Sequence, residues 1–371
     1  MFLKSRQAAW LDSLARPCLT RLPAPLVVRL YSQGRGVFLK DYERSQPPLV
    51  EVPPHLTREL WGIKFRSPLM NAAGMFKSGG GYEVVSRQGA GAFLAGTTTA
   101  TPRDGNRKHG FVHPFAPYPR SGAASNWLGL PNPGHAEVAS RLTGLSRVEG
   151  CPLGASLGAD PAPEIDGQQK LEDLVAGLKA YEQAGMDFLE INESCPNTEA
   201  ESGSFEAMID RLTYVSEHFL GRRQRFLPVV VKFSSDTELA QVPRLMDTLF
   251  NLGFDGVNFG NTSVRYDAIR QELHRAERRL FDFFTRRFGG GVSGRPLKES
   301  SLALVRFAAE HLSSLALDRE FHIIRTGGVE DASDVRASLE AGASLVQWYT
   351  GYFEAFGRQG HGLYSRLYDR L

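Results

Sequence analysis

The 371-residue chain has few cysteines, no long apolar run and almost no net charge. Its three cysteines, Cys18, Cys151 and Cys195, lie far apart and form no C-x-x-C pair, so neither a disulfide framework nor a zinc knuckle is predicted, and a reducing compartment is the default. No stretch approaches the roughly 18 consecutive apolar residues of a membrane-spanning helix. The formal net charge of +2 gives no broad electrostatic reason to bind nucleic acid.

The composition is that of an ordinary globular chain. Hydrophobic residues make up 42% and charged residues 23%, which excludes a disordered tail protein, a coiled coil and a collagen-like repeat. Because α/β barrels run to about 250 residues as one domain, the length allows one large domain with a smaller appendage.

Basic residues are concentrated at the start of the chain. Residues 1–40 carry seven lysines and arginines against one acid, and one helical face is apolar, with Trp10, Leu11 and Leu14. Three prolines predict a break between two short helices: Pro17, Pro23 and Pro25. A basic amphipathic segment of this kind suits a membrane surface. The alternatives are a helical cap packed on the body of the protein and an Arg-rich, acid-poor targeting peptide.

Short β-branched runs alternate with helical patterns along the rest of the chain. The predicted strands are 68–75, 92–99, 152–157, 188–193, 228–233, 256–261, 322–327 and 344–350. The predicted helices are 81–88, 135–145, 170–185, 204–221, 238–252, 297–312, 331–341 and 360–371. Alternation predicts a parallel sheet, and eight units predict a closed (β/α)₈ TIM barrel. We therefore expect a helical extension over 1–45, a Pro-rich linker over 46–59 and a barrel over 60–371.

The chemistry of such a barrel is expected in the loops after the strands. Those positions hold several amides, two lysines (Lys77 and Lys232) and Cys195. Amides suit a planar heterocycle with carbonyl and N–H groups, and lysines suit anionic centres. Gly327 and Gly328 follow the seventh strand, where barrels often hold phosphate. The combination predicts a flavin mononucleotide (FMN) site with a second, anionic ligand, although Cys195 alone could be a small buried hydrophobe.

Three other patterns carry weaker signals. Gly289, Gly291 and Gly294 fit G-x-G-x-x-G, but no strand precedes them, so we expect a flexible barrel loop near the flavin instead of a dinucleotide fold. His109 and His113 are interrupted by Gly110, which argues against a metal site. Residues 264–288 contain seven arginines against four acids and are interpreted as a solvated helical insertion.

Seven motifs in order make the barrel similar to the dihydroorotate dehydrogenase family over residues 60–371. They are Ala72-Ala73-Gly74 with Lys77, Thr101-Pro102-Arg103-Asp104-Gly105-Asn106, Leu130-Pro131-Asn132, residues 192–197, Ser293-Gly294-Arg295-Pro296, Thr326-Gly327-Gly328 and Tyr349-Thr350-Gly351. The resemblance implies FMN-dependent oxidation of dihydroorotate to orotate in pyrimidine biosynthesis. It assigns Cys195 as the catalytic base.

The resemblance also assigns the remaining site residues. Substrate binding is implied for Lys77, Asn126, Leu130, Asn132, Asn192, Asn197, Asn261 and Thr262. Cofactor binding is implied for Ala73, Gly74, Lys77, Thr97, Ser156, Asn192, Lys232, Gly260, Gly294, Gly327, Gly328, Tyr349 and Thr350. No metal is implied.

The sequence mixes two classes of that family. The N-terminal segment and Lys77 resemble the membrane-associated class, which passes electrons to quinone, whereas Cys195, Ser156 and the Leu-Pro-Asn turn resemble the soluble class. We expect quinone as acceptor and peripheral contact through residues 1–40, on the cytoplasmic face or the mitochondrial inner membrane. A soluble acceptor and a soluble cytoplasmic protein are the alternative.

Acidic residues near the predicted site leave the substrate open. Glu193 lies inside the catalytic motif, and Glu199 and Glu201 follow it. Strand alternation predicts that the Glu193 side chain points away from Asn192 and the flavin. Since acids disfavour an anionic substrate, a related dihydropyrimidine is the alternative. A flavin-free barrel lyase with a Schiff-base lysine and a non-catalytic, membrane-docked barrel are the rival classes.

Overall fold

The structure, a computed structural model, describes residues 4–193, 205–315 and 317–371. Eight parallel strands form its centre: β1 (Leu69–Asn71), β2 (Phe93–Thr98), β3 (Leu153–Leu157), β4 (Phe188–Asn192), β5 (Val229–Phe233), β6 (Gly256–Phe259), β7 (His322–Thr326) and β8 (Leu345–Trp348). Each lies within one of the eight predicted strand segments, so the barrel prediction is confirmed.

The strands pair in the order β1-β8-β7-β6-β5-β4-β3-β2. The two end strands meet as well, because Gly91 N donates to Leu69 O at 2.8 Å and the Asn71 amide bonds the main chain of Leu94. The register places Asn192 beside Lys232 and Lys232 beside Asn258, so side chains from neighbouring strands point into the barrel at one level.

Thirteen helices are found in the described part of the chain. They are α1 (Ser5–Leu19), α2 (Ala24–Tyr42), α3 (Tyr82–Arg87), α4 (His135–Thr143), α5 (Gly167–Gln183), α6 (Phe205–His218), α7 (Val242–Asn251), α8 (Tyr266–Glu272), α9 (Arg278–Phe288), α10 (Lys298–Ser313), α11 (Ala332–Glu340), α12 (Thr350–Gln359) and α13 (Leu363–Tyr368). All eight helices predicted after residue 60 are present, with ends shifted by a few residues. Asp166 and Asp331 accept bonds from the first turns of α5 and α11, which fixes where those helices begin.

The barrel is closed at its amino-terminal end by apolar side chains. A hairpin of Arg58–Leu60 and Ile63–Phe65 covers that end. Trp61 and Phe65 of the hairpin cluster with inward-facing residues of the strands: Met70, Leu94, Phe188, Val230, Ile324 and Leu345. Because the lower half is filled with large apolar groups, any ligand space must lie toward the carboxyl ends of the strands.

The N-terminal segment folds as two helices, as predicted, with the break at residues 20–23. The expectation that Pro17 breaks the helix is wrong: Pro17 lies inside the last turn of α1, and the helix continues to Leu19 although Pro17 has no N–H to donate. α1 packs against α12, and α2 packs against a small sheet and α9. No helix in the described ranges is long and apolar enough to cross a membrane.

That small sheet consists of Phe115–Tyr118, Ala123–Asn126 and Gly291–Gly294; a separate hairpin pairs Arg107–Lys108 with Phe111–Val112. The expected flexible loop at residues 289–294 is therefore wrong, because Gly291–Gly294 is a paired strand. The Arg-rich insertion is helical but only partly solvated. α9 buries Leu280, Phe281, Phe284 and Phe288 in a cluster that also contains Val27 and Val28 of α2.

Candidate functional site

A cavity opens at the carboxyl ends of the strands, with about 870 Å³ of space between its walls, part of it open to solvent. Residues from the loops after most of the strands line it. They are Ala72, Ala73, Gly74, Lys77, Thr97, Asn126, Leu128, Leu130, Asn192, Lys232, Asn261, Thr262, Ser293, Gly294, Thr326, Gly327, Gly328, Val329, Gln347, Trp348, Tyr349, Thr350 and Gly351. The cavity therefore lies where the sequence predicted the site.

A layer of polar side chains forms the floor of this cavity. Lys232 Nζ donates to Gln347 Oε1 at 3.2 Å and lies 3.8 Å from Glu190 Oε1. Glu190 also accepts bonds from Ser156, Asn258 and Gln347 at 2.8–3.2 Å. Burial lowers the pKa of the Lys232 ammonium, and the charge of Glu190 partly offsets that effect. The floor thus keeps a buried cation beside a fully bonded carboxylate.

The wall beside the floor is built from amides and hydroxyls. Asn192 Nδ2 donates to Thr97 Oγ1 at 3.1 Å, and Asn261 Nδ2 donates to Asn192 Oδ1 at 3.4 Å. Thr262 lies beside them, and its buried hydroxyl has no hydrogen-bond partner in the described part of the chain. Because an unsatisfied buried hydroxyl is costly, Thr262 is a group that a bound molecule is expected to satisfy.

The opposite wall is formed by close-packed glycines and a helix N-terminus. Gly328 has φ +72° and would place a Cβ 2.4 Å from Lys298 Cα, so only glycine fits there. Gly294 has φ +101°, and a Cβ there would lie 2.1 Å from Gly122 O. The N-terminus of α12 begins at Thr350, which also lines the cavity. Exposed main-chain N–H groups at a helix N-terminus favour a phosphate.

A second, mostly apolar cavity lies between the two N-terminal helices and the barrel, with about 1410 Å³ of space. Its lining includes Leu19, Leu30, Phe38 and Phe353. Tyr349 and Thr350 line both cavities, so the two spaces meet at the start of α12. Arg35 of α2 donates from Nη2 to the Tyr349 hydroxyl at 3.1 Å at this junction.

Comparison with known proteins agrees with this arrangement. The family model described as dihydroorotate dehydrogenase matches residues 55–359. The chain belongs to the dihydroorotate dehydrogenase family. It is similar to the dihydroorotate dehydrogenase (quinone) of Kineococcus radiotolerans, with 32% identity covering 87% of this chain and 83% of that protein. It is also similar to the one of Thiobacillus denitrificans, with 29% identity covering 97% of this chain and 99% of that protein.

Solved structures of similar fold come from Eimeria tenella. The DHODH crystallised in complex with ferulenol superposes with a TM-score of 0.74 at 23% identity, covering 91% of this chain and 89% of that chain. The ligand-free form gives the same TM-score at 22% identity. At these identities the likeness shows the fold alone. Membership of the dihydroorotate dehydrogenase family implies an oxidoreductase with a flavin cofactor.

In this member of the dihydroorotate dehydrogenase family, most residues singled out from the sequence line one cavity. Three do not: Asn132, Ser156 and Gly260. The Asn132 amide bonds Thr99, Leu130 and Gly134 and so fixes its own loop. Ser156 lies behind Thr97 and donates toward Glu190, and Gly260 permits close packing against Thr326 O. Cys195 and Asn197 lie outside the described residues.

Several residues of the site were missed by reasoning from the sequence. Glu190 and Gln347 are the most important, because they hold Lys232 in the floor. A signal was available for both: Glu190 lies two residues before Asn192 on β4, and Gln347 interrupts an apolar strand. Other lining residues that had not been named are Leu128, Val329 and Trp348. Four further lining residues belong to the motifs quoted above but had no role assigned to them: Ala72, Ser293, Thr326 and Gly351.

Glu193 is turned away from the cavity in this dihydroorotate dehydrogenase-family chain, as strand alternation predicted. Its carboxylate pairs with Arg211 of α6, with Oε2 2.6 Å from Nη2. The Glu193 side chain is only 5% exposed. Its negative charge is therefore neutralised outside the cavity, which removes one of the two reasons for doubting an anionic substrate; the other, the acidic segment after Cys195, lies outside the described residues.

Proposed function

We propose that this protein oxidises dihydroorotate to orotate, using FMN, and passes the electrons to a quinone. The observation that carries the proposal is the meeting of two cavities of different chemistry at Tyr349 and Thr350. One is polar and contains two lysines, which suits a flavin with an anionic substrate. The other is apolar and suits a quinone. Relatives of similar length are dihydroorotate dehydrogenases (quinone).

The residues of the polar cavity fit FMN. Gly294, Gly328 and the N-terminus of α12 offer main-chain N–H groups to its phosphate. Lys232 supplies a positive charge from the floor. When bound, FMN accepts a hydride from the substrate and later gives up two electrons. The Lys232 ammonium would favour the negative charge that the ring acquires on reduction.

The amide wall fits the pyrimidine ring of the substrate. Asn126, Asn192 and Asn261 offer both donors and acceptors, and the Thr262 hydroxyl is available to a ligand. Lys77 lies on the same cavity and suits the substrate carboxylate.

Cys195 is proposed as the base that removes a proton from the carbon next to a ring carbonyl. It follows Asn192, the last residue of β4, by three positions in the sequence, and Asn192 lines the cavity. An ordinary thiol has a pKa of about 8.5, so only roughly a tenth is thiolate near pH 7.5. The rate of proton removal should therefore rise with pH across neutrality.

The decisive experiment is anaerobic stopped-flow mixing of the purified yellow protein with dihydroorotate. Rapid bleaching of the flavin absorbance is expected, and Cys195→Ala should slow it by orders of magnitude. If wild-type flavin is reduced by dithionite but not by dihydroorotate, the substrate is another dihydropyrimidine. A colourless protein that binds no FMN would overturn the whole proposal. An unchanged rate of flavin reduction in Cys195→Ala would overturn the role of the thiol alone.

Peripheral membrane contact is proposed for the N-terminal helices. These helices expose Trp10, Leu11, Leu14, Leu26 and Leu30, and two of these residues, Leu11 and Leu30, also line the apolar cavity. Amphipathic helices of this kind insert their apolar face into the headgroup region of a bilayer. A quinone dissolved in the bilayer would then reach Tyr349 without crossing water.

A further inference from the structure

Glu190 places a carboxylate inside the barrel, where few charged groups are found. Its side chain is fully buried in the barrel interior beneath the cavity, and it does not line the cavity itself. Burying a carboxylate is costly unless it is paired and hydrogen-bonded. A buried carboxylate therefore requires hydrogen-bond donors around it, and its presence at this depth indicates a specific role.

Three strands supply hydrogen-bond donors to this carboxylate, and a fourth supplies the neighbouring ammonium group. Oε1 accepts from Ser156 Oγ at 3.2 Å, and Oε2 accepts from Asn258 Nδ2 and Gln347 Nε2 at 2.8 Å each. Lys232 Nζ lies 3.8 Å from Oε1. The two carboxylate oxygens therefore accept bonds from one hydroxyl and two amides and lie beside an ammonium group.

The position of Lys232 follows from the same network. Its ammonium donates to Gln347 Oε1 at 3.2 Å, while the distance to Glu190 is longer than a hydrogen bond. Gln347 is itself fixed, because its Nε2 donates to Glu190 and the Thr326 hydroxyl lies 2.8 Å from its Oε1. Glu190 thus holds Lys232 electrostatically while leaving other ammonium protons for the cavity above.

We propose that Glu190 is a positioning residue that acts through Lys232: it keeps the ammonium at the cavity floor and sets the reduction potential of the bound flavin. The inference rests on the proposed flavin site. Lys232 alone would place an uncompensated positive charge in a medium where charges interact strongly. With Glu190 the pair is close to neutral, so the reduced, negatively charged ring is stabilised less than it would be by lysine alone.

The test is the midpoint potential of the FMN-loaded protein, measured against a reference dye during slow enzymatic reduction. Glu190→Gln keeps the shape and removes the charge, so the potential should rise. A tenfold gain in affinity for reduced over oxidised flavin would correspond to about 30 mV for the two-electron couple. The matched control is Glu277→Gln, which removes another buried carboxylate, one that accepts bonds from Arg120 and Ser121 and neither lines the cavity nor contacts Lys232 in the structure. Its potential should equal that of the wild type.

A second pair of variants keeps the proposal falsifiable if Glu190→Gln fails to fold or to bind FMN. Lys232→Met leaves Glu190 uncompensated and should lower the potential. Adding Glu190→Gln to Lys232→Met removes both charges and should raise it again. An unchanged potential in Glu190→Gln, or equal potentials in Lys232→Met and the double variant, would overturn the proposal.

These measurements need no turnover, so they separate this inference from the proposed function. A wild-type protein that binds FMN but is not reduced by dihydroorotate would refute the proposed substrate and leave this inference unaffected. A wild-type protein that binds no FMN would refute both.

Discussion

Arg35 of α2 and Tyr349, which directly follows β8, are joined by a hydrogen bond of 3.1 Å from Nη2 to the phenolic oxygen. The two residues are 314 positions apart in the sequence, and the bond links the N-terminal helices to the point where the polar and apolar cavities meet. An arginine at this point belongs to the acceptor side of the proposed reaction and not to the substrate side.

Replacing Arg35 by Met should therefore slow quinone reduction without slowing flavin reduction by dihydroorotate. We expect a fall of roughly tenfold in kcat/KM for the quinone, equivalent to about 1.4 kcal/mol, because Tyr349 is no longer held at the junction of the two cavities. Steady-state rates with a short-chain quinone and stopped-flow rates with dihydroorotate separate the two steps. Lys40→Met, an exposed change on the same helix, is the control. Equal loss in both steps would contradict this assignment.

Thr262 gives a prediction about ligand binding. Because its buried hydroxyl has no partner in the described part of the chain, Thr262→Val should leave the ligand-free protein as stable as the wild type or slightly more stable. Binding of the ligand that satisfies the hydroxyl should weaken by about 1 kcal/mol, or roughly fivefold. Orotate titrations and thermal melts of the same samples test both effects.

The control for that prediction is Thr98→Val. The Thr98 hydroxyl lies 2.8 Å from His135 Nδ1 and 2.7 Å from Tyr181 Oη. Its loss therefore leaves buried polar groups without this hydrogen-bond partner. Thr98→Val should lower the melting temperature while Thr262→Val does not. A clear destabilisation by Thr262→Val would show that its hydroxyl is already satisfied without ligand.

The barrel and its cavity could be predicted from the sequence because both depend on local patterns. Short β-branched runs such as Val229–Phe233 predict the strands because each is followed by a helical segment. Parallel strands then bring their carboxyl ends together. The Glu190 and Gln347 contacts could not be predicted, since they depend on strand register across the barrel. The strand Gly291–Gly294 was not predicted because its glycines are typical of turns. Its partner strand is also distant in the sequence: Gly291 pairs with Asn126, which lies 165 residues earlier.

Replacing Glu193 tests whether the acidic residue inside the catalytic motif affects substrate choice. Because it pairs with Arg211 outside the cavity, Glu193→Gln should leave the KM for dihydroorotate unchanged. It should lower the free energy of unfolding by about 1–3 kcal/mol, since a half-buried arginine loses its partner. The exposed pair of Glu137 and Arg141 is the matched control, and Glu137→Gln should cost less than about 0.5 kcal/mol. A markedly lower KM in Glu193→Gln would mean that its charge reaches the substrate.

Membrane binding should depend on the outer face of α1. Trp10 and Leu14 are 53% and 62% exposed and lie one helical turn apart. Replacing both by Gln should release the protein from phospholipid vesicles by at least tenfold in partition coefficient, because each buried apolar side chain contributes about 1.5–3 kcal/mol. Leu239→Gln, on an exposed leucine of the barrel, should have no effect. Co-sedimentation that is identical for all three proteins would refute docking through this face.

His135 predicts how stability depends on pH. Burial lowers its pKa to about 4, and its Nδ1 lies 2.8 Å from Thr98 Oγ1 inside the protein. The unfolded chain has the ordinary histidine pKa of about 6.5, so below that pH the unfolded state binds a proton that the folded state does not. The stabilisation is therefore complete above about pH 6.5 and is lost as the pH falls toward 4. Because of His135, the free energy of unfolding should fall by about 2 kcal/mol between pH 7 and pH 5, as measured by denaturant titration.

His135→Gln should flatten that part of the pH profile, whereas His55→Gln, at an exposed histidine, should leave it unchanged. A profile equally steep in His135→Gln would show that other groups cause the acid sensitivity.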